Sequence, residues 1–187
     1  MASASGIWKP SLQPGTRFFR FVQALKECEA LAAYLTTDFH ASDWTDQEVG
    51  AAVARGVLVF PLRVDMNPYG FIGRYQAMDA RAGKDPHVLA REMADVLRTD
   101  PRTRSAVAEV TVDRFVHSYS YDNARANLER LQSLAPYLWT QGMAQAVQQA
   151  VVSNDQINQA VVGFDQNARN VGDEALKLAA RFLNEPP

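Results

Sequence analysis

The chain is 187 residues long, 47% hydrophobic and 21% charged, close to globular averages and far from those of disordered chains. Its formal net charge of -2 gives no electrostatic footprint for nucleic acid, so no nucleic-acid partner is expected. The single cysteine, Cys28, cannot form an internal disulfide, which fits a reducing compartment; with no bilayer-length apolar run and no signal-peptide pattern after Met1, the expected location is the cytoplasm, without a membrane partner.

Residues 1–16, rich in Ser, Pro and Gly, read as an irregular N-terminal arm. Phe18, Phe21, Val22, Leu25 and Cys28 recur at spacings of three and four, which predicts a helix over 17–29. Ala30–Thr36 is short and apolar and reads as a buried strand, and the polar stretch Thr37–Asp43 as a loop. A helix is expected to start near Ser42 or Thr45. Ser42 is a good N-cap, Thr45-Asp46-Gln47-Glu48 reads as a capping box, and Gly56 closes the helix. Val57–Val64, with its β-branched and large apolar residues, is the clearest strand. After a loop containing Asn67-Pro68 and Tyr69-Gly70, a further helix is expected over 85–97, opened by Asp85-Pro86.

The alternation of helix and strand up to residue 97 implies a parallel sheet with crossover helices. Beyond Asp100-Pro101 only helical periods are evident, over 105–119, 123–134, 140–151 and 171–183. The expected organisation is therefore an α/β part over 17–99 and an all-α helical bundle over 104–187, with the cut near 99–103.

The segment Leu35-Thr36-Thr37-Asp38-Phe39-His40-Ala41-Ser42-Asp43-Trp44-Thr45-Asp46-Gln47-Glu48 resembles a core motif of Toll/interleukin-receptor (TIR) domains. In that family a strand ends in a small polar residue, a short loop with Phe and Ser follows, and then a Trp and, four residues on, a Glu at a helix start. Ala51–Leu62 is similar to the family's helix-to-strand continuation, and Pro68–Gln76 to its bacterial members. The resemblance covers roughly residues 25–97. The strand, helix and second strand that open a complete TIR domain are not found, so the expectation is an N-terminally truncated, flavodoxin-like parallel sheet. A helical appendage follows it.

The resemblance implies an NAD+ glycohydrolase that cleaves the nicotinamide–ribose bond, with NAD+ as substrate and no cofactor or metal. It carries over one catalytic residue, Glu48. Trp44, Ser42 and Phe39 are the candidate substrate-binding residues, and Arg17 and Arg20 are placed to approach a phosphate. Self-association or pairing with other TIR domains is the expected partnership, in bacterial defence or stress signalling.

Each residue also has a structural reading. Glu48 three positions after a Thr is an ordinary capping residue, Trp44 an ordinary core or interface tryptophan, Ser42 a cap, and Cys28 a small buried hydrophobe. His40, His87 and His117 share no metal-ligand spacing. Asn154, Gln156, Asn158 and Gln159 read either as a solvated face with a helix cap or as a contact surface. Alternatives to the enzyme are a non-catalytic TIR interaction module in signal transduction and an inactive truncated product.

Overall fold

The computed structural model describes residues 23–24, 27–163 and 168–183, with the side chains of Asp43 and Trp44 outside that description. The chain forms two compact units divided between Ala94 and Asp95. Most of the helix expected over 17–29 lies outside the described residues.

The first unit is an α/β arrangement. Strand β1 (Ala30–Leu35) leads through a one-turn helix α1 (Thr37–His40) into α2 (Asp43–Ala54), and β2 (Leu58–Arg63) follows. A 3-10 turn at Gly70–Ile72 and a two-residue strand β3 (Met78–Asp79) precede α3 (Pro86–Thr99). All three strands are parallel in the order β1-β2-β3, with Ala30 to Leu35 paired to Leu58 to Arg63 and Leu62–Arg63 paired to Met78–Asp79.

The central strand is the continuous apolar run. Leu58, Val59, Phe60, Pro61 and Leu62 are all buried, as a parallel strand covered on both faces requires. Pro61 in a central strand removes a ladder donor, and the short β3 explains why it is tolerated. The Leu58 amide donates to the Glu29 carbonyl on the β1 side. N–H directions alternate along a strand, so residue 61 would donate toward β3, whose pairing begins only at Leu62. The face carrying Ala33, Leu35, Val57 and Val59 packs under α2 through Val49 and Ala52. Gly56, at φ +73°, turns the chain from α2 into β2 in a conformation that costs a glycine nothing. On the other face, Tyr34 is 54% exposed.

The expected loop Thr37–Asp43 in fact contains α1, because the Thr36 hydroxyl caps it by accepting from the Phe39 amide at 3.3 Å. β3 was not expected at all: two residues carry no period.

The second unit holds α4 (Arg104–Val116), α5 (Tyr121–Gln132), α6 (Gln141–Ser153), α7 (Asp155–Asn158) and α8 (Val171–Ala179). The purely helical expectation is corrected by one antiparallel ladder, β4 (Val161–Val162) with β5 (Arg169–Asn170). The last turn of α3 belongs here. The buried Thr103 hydroxyl donates to the Leu97 carbonyl at 2.7 Å and ties the end of α3 to the start of α4.

Helix α6 packs against α4 and α8, and the core is rich in small residues. Ala108, Ala124, Ala144, Ala175 and Ala179 are fully buried around Phe115, Leu131, Val147 and Val171. Trp139 stacks on Phe182 with ring centroids 5.0 Å apart.

Asparagines satisfy the carbonyls that the C-terminal end of α4 leaves without intrahelical partners. Asn127 donates to the Arg114 carbonyl at 2.8 Å, and Asn154 donates to the Val116 and Ser118 carbonyls at 3.0 and 2.9 Å. Asn154 also caps α7 by accepting from the Gln156 amide. The cap-and-bracket role of Asn154 is thus structural. Ser120, Thr140 and Asn170 cap α5, α6 and α8 in the same way.

Gly172 marks the tightest approach. A Cβ there would stand 2.9 Å from Val151 Cγ1 and 3.0 Å from the Asn170 cap oxygen. Gly172→Ala is therefore expected to destabilise the second unit by about 1–3 kcal/mol through overpacking, read as a lower urea midpoint with an unchanged slope.

Candidate functional site

Helix α2 presents Thr45, Glu48, Val49, Ala52 and Val53 along one stripe at the spacing of a sheet-facing side. Val49 and Ala52 are buried, while Thr45, Glu48 and Val53 are half-buried. Glu48 thus occupies a position that an amphipathic helix ordinarily fills with an apolar residue. Among the described residues its carboxylate makes no hydrogen bond or ion pair, and burial holds its pKa above the 4.5 of an ordinary glutamate.

The capping-box reading is corrected. α2 begins at Asp43, with Ser42 at the N-cap position but without a side-chain cap bond. Thr45 is the third helical residue, and its hydroxyl turns backwards to bond the carbonyls of Ser42, at 2.8 Å, and Phe39. Glu48 is the sixth residue of the helix and lies too far along it to close a box with Thr45. The structural role that the sequence suggested for Glu48 is therefore absent, and no other described partner replaces it.

The chain leading into α2 is pinned by side chains from the loop after β2. The Tyr69 hydroxyl donates to Asp46 Oδ1 at 2.6 Å. Its ring meets His40 edge-on at 4.6 Å and Phe39 edge-on at 6.5 Å. Burial and the bonded Asp46 carboxylate push the Tyr69 phenol up to about 12. Phe39 is half-buried against the cluster beneath α2, so its ring fixes the path of the loop. Ser42 contributes its backbone. The side chain of Trp44 lies outside the described residues, as do Arg17 and Arg20.

Tyr69 was missed as part of this region. Its only sequence signal is the turn composition of residues 67–70, which says nothing of a partner 23 residues earlier.

A shallow apolar groove of about 500 Å³ lies along α2 between Gly50, Val53, Ala54 and Phe71, rimmed by Asp46 and Gln47. A Cβ at Gly50 would make ordinary contact with the Phe71 ring at 3.4 Å. At 100° per residue, Glu48 points about 160° around the helix from Gly50. The groove and the carboxylate are therefore separate features. β1, the strand that precedes the Glu48 helix, pairs on one side only among the described residues. No three His, Cys, Asp or Glu side chains converge to hold a metal ion among the described residues, and no described helix is long and apolar enough to cross a membrane.

Because the folded-state pKa of Glu48 exceeds its unfolded value, its contribution to stability is complete at acid pH. That contribution is lost as pH rises through the raised value. Glu48→Gln is accordingly expected to raise the thermal midpoint at pH 7 by about 1–3 °C and to match wild type near pH 4, followed by circular dichroism. No protein-family model, curated protein or solved structure matches this chain.

Proposed function

We propose that this chain is a TIR-type NAD+ glycohydrolase with Glu48 as its catalytic carboxylate, acting in the cytoplasm in bacterial defence or stress signalling. The observation that carries the reading is the half-buried Glu48 carboxylate on the sheet-facing stripe of α2, with no partner among the described residues. A carboxylate in that position lowers stability and forms no compensating bond among the described residues, which is the pattern expected of a group retained for chemistry. Its place fits the resemblance in part: the helix follows a strand and a short connection, with Trp44 one turn before Glu48, although the Phe39 part of that connection is the one-turn helix α1 and not a loop.

The chemistry asks little more of the protein than this group. The bond from ribose C1′ to the nicotinamide nitrogen breaks, its electron pair passes to the ring, and nicotinamide leaves neutral. The positive charge left on C1′ and the ring oxygen resembles the oxocarbenium ion of glycoside hydrolysis. An ionised carboxylate held out of bulk water stabilises that charge more strongly than one in solvent would. Water then attacks C1′ and releases a proton, giving ADP-ribose. Trp44, Ser42 and Phe39 are the candidate contacts to substrate that the resemblance implies.

The 69% exposure of Phe71 beside an apolar groove on α2 favours a second reading. In it the domain is a non-catalytic TIR interaction module that associates with itself or with other TIR domains.

NAD+ loss at high protein concentration separates the two readings. The enzyme reading expects turnover in wild type and a loss of about 100-fold or more in Glu48→Gln. It also expects activity to fall on acidification, with an apparent pKa above 4.5, because the ionised form is the one that acts. Equal turnover in wild type and variant would overturn the assignment of Glu48. No turnover in either, together with self-association on a sizing column, would favour the interaction module.

A further inference from the structure

The second unit carries a half-open cavity of about 430 Å³, bounded by the last turn of α3, the first turn of α4 and the connector between α5 and α6. Its volume falls within the range of small-molecule sites. Val107, Leu134 and Leu138 supply apolar surface, while Arg98, Arg104 and Tyr137 supply the polar wall.

Most polar groups here are already engaged. Arg98 pairs with Asp95. The Thr99 hydroxyl donates to the Asp95 carbonyl at 2.9 Å, and the Ser133 hydroxyl donates to the Arg130 carbonyl at 2.7 Å. Arg104 is different. Its guanidinium lies over the Tyr137 ring at 5.0 Å, and it has no hydrogen-bond acceptor or carboxylate among the described residues. A cation–π contact uses the face of the guanidinium and leaves its in-plane N–H fork free. That fork matches the geometry of a carboxylate or a phosphate. Arg98, Arg104 and Asp95 sum to one net positive charge, and Arg104 stands at the positive end of the 13-residue helix α4.

We propose that this cavity binds a small organic anion, its carboxylate or phosphate held by the Arg104 fork and its apolar or aromatic body lying on Val107, Leu134 and Leu138. The body distinguishes the site from a surface arginine that attracts any counterion. Bare phosphate or acetate would meet the same charge but bury none of the apolar wall. The proposal is independent of Glu48, because it concerns binding in the second unit and requires no turnover.

The test is calorimetric titration of the full chain at low salt. AMP and benzoate serve as phosphate- and carboxylate-bearing probes, and inorganic phosphate and acetate as their counterparts without a body. At least one of AMP and benzoate is expected to bind at least 10-fold more tightly than its bare counterpart, and which one does so identifies the acid group. Arg104→Gln is expected to weaken that probe at least 10-fold, while Arg104→Lys, which keeps the charge but not the fork, falls between the two. Methyl NMR of Leu134 and Leu138 in wild type locates the probe even if a variant folds poorly. Absence of binding, equal binding of bare and body-bearing anions, undiminished binding by a folded Arg104→Gln, or unmoved Leu134 and Leu138 methyls would each overturn the proposal.

Discussion

The first unit depends on the burial of β2 on both faces. Leu58 to Leu62 form the strand around which its other parts are arranged. β1 pairs along the whole of one side, β3 pairs only beyond Pro61, and α2 lies on the face of Val57 and Val59. A parallel strand needs cover on both faces because its crossover connections place helices there. The parallel β1–β2 pairing in turn requires the chain to cross over between them, and α2 is that crossover. Its stripe is consequently fixed in orientation. Val49 and Ala52 must face the sheet, and Glu48, one residue before Val49, is carried into the half-buried margin with them.

That placement has an energetic sign. Burying part of a carboxylate without a donor favours its protonated form and lowers stability at neutral pH. Thr45 occupies the same stripe one turn earlier, but its hydroxyl bonds the Phe39 and Ser42 carbonyls that precede the helix. The contrast between the two residues is informative. A polar group in the stripe can be absorbed into the fold, and Thr45 is. The fold provides Glu48 with no donor among the described residues.

The sequence made the larger elements legible because their signals are local and repeated. The apolar run of β2, the periods of α3 to α6 and the φ-positive Gly56 each announce themselves within a few residues. Features resting on a distant partner were not legible. The capping box at Thr45–Glu48 was a motif in the wrong register, since the helix begins three residues earlier than a cap at Thr45 would start it and the Thr45 hydroxyl bonds carbonyls behind it. Asn154 read as part of a solvated amide face with a helix cap or of a contact surface, and the cap is present. Its donors reach carbonyls 36 and 38 residues earlier in the chain, a separation that no period encodes. β3 is two residues long and exists only because β2 offers it an edge. Of the candidate site, Glu48 could be picked out by its motif; its lack of a partner among the described residues, the argument that now supports it, could only be seen in three dimensions.

The distinction between engaged and free polar groups also separates the candidates from ordinary imperfections. The Nε of Arg63 and the Nε1 of Trp139 are buried donors without acceptors among the described residues, and on that count alone they resemble Glu48 and Arg104. They differ in access. Both atoms are closed to solvent, so a ligand could reach them only by opening the core, and their missing bonds are a cost with no route to function. The Glu48 residue is only half-buried, and Arg104 stands on the wall of an open cavity. An uncommitted charge is useful only where a substrate or ligand can arrive. Glu48 and Arg104 combine a missing partner among the described residues with a place a ligand can reach, the half-buried margin of α2 in one case and the wall of a cavity in the other.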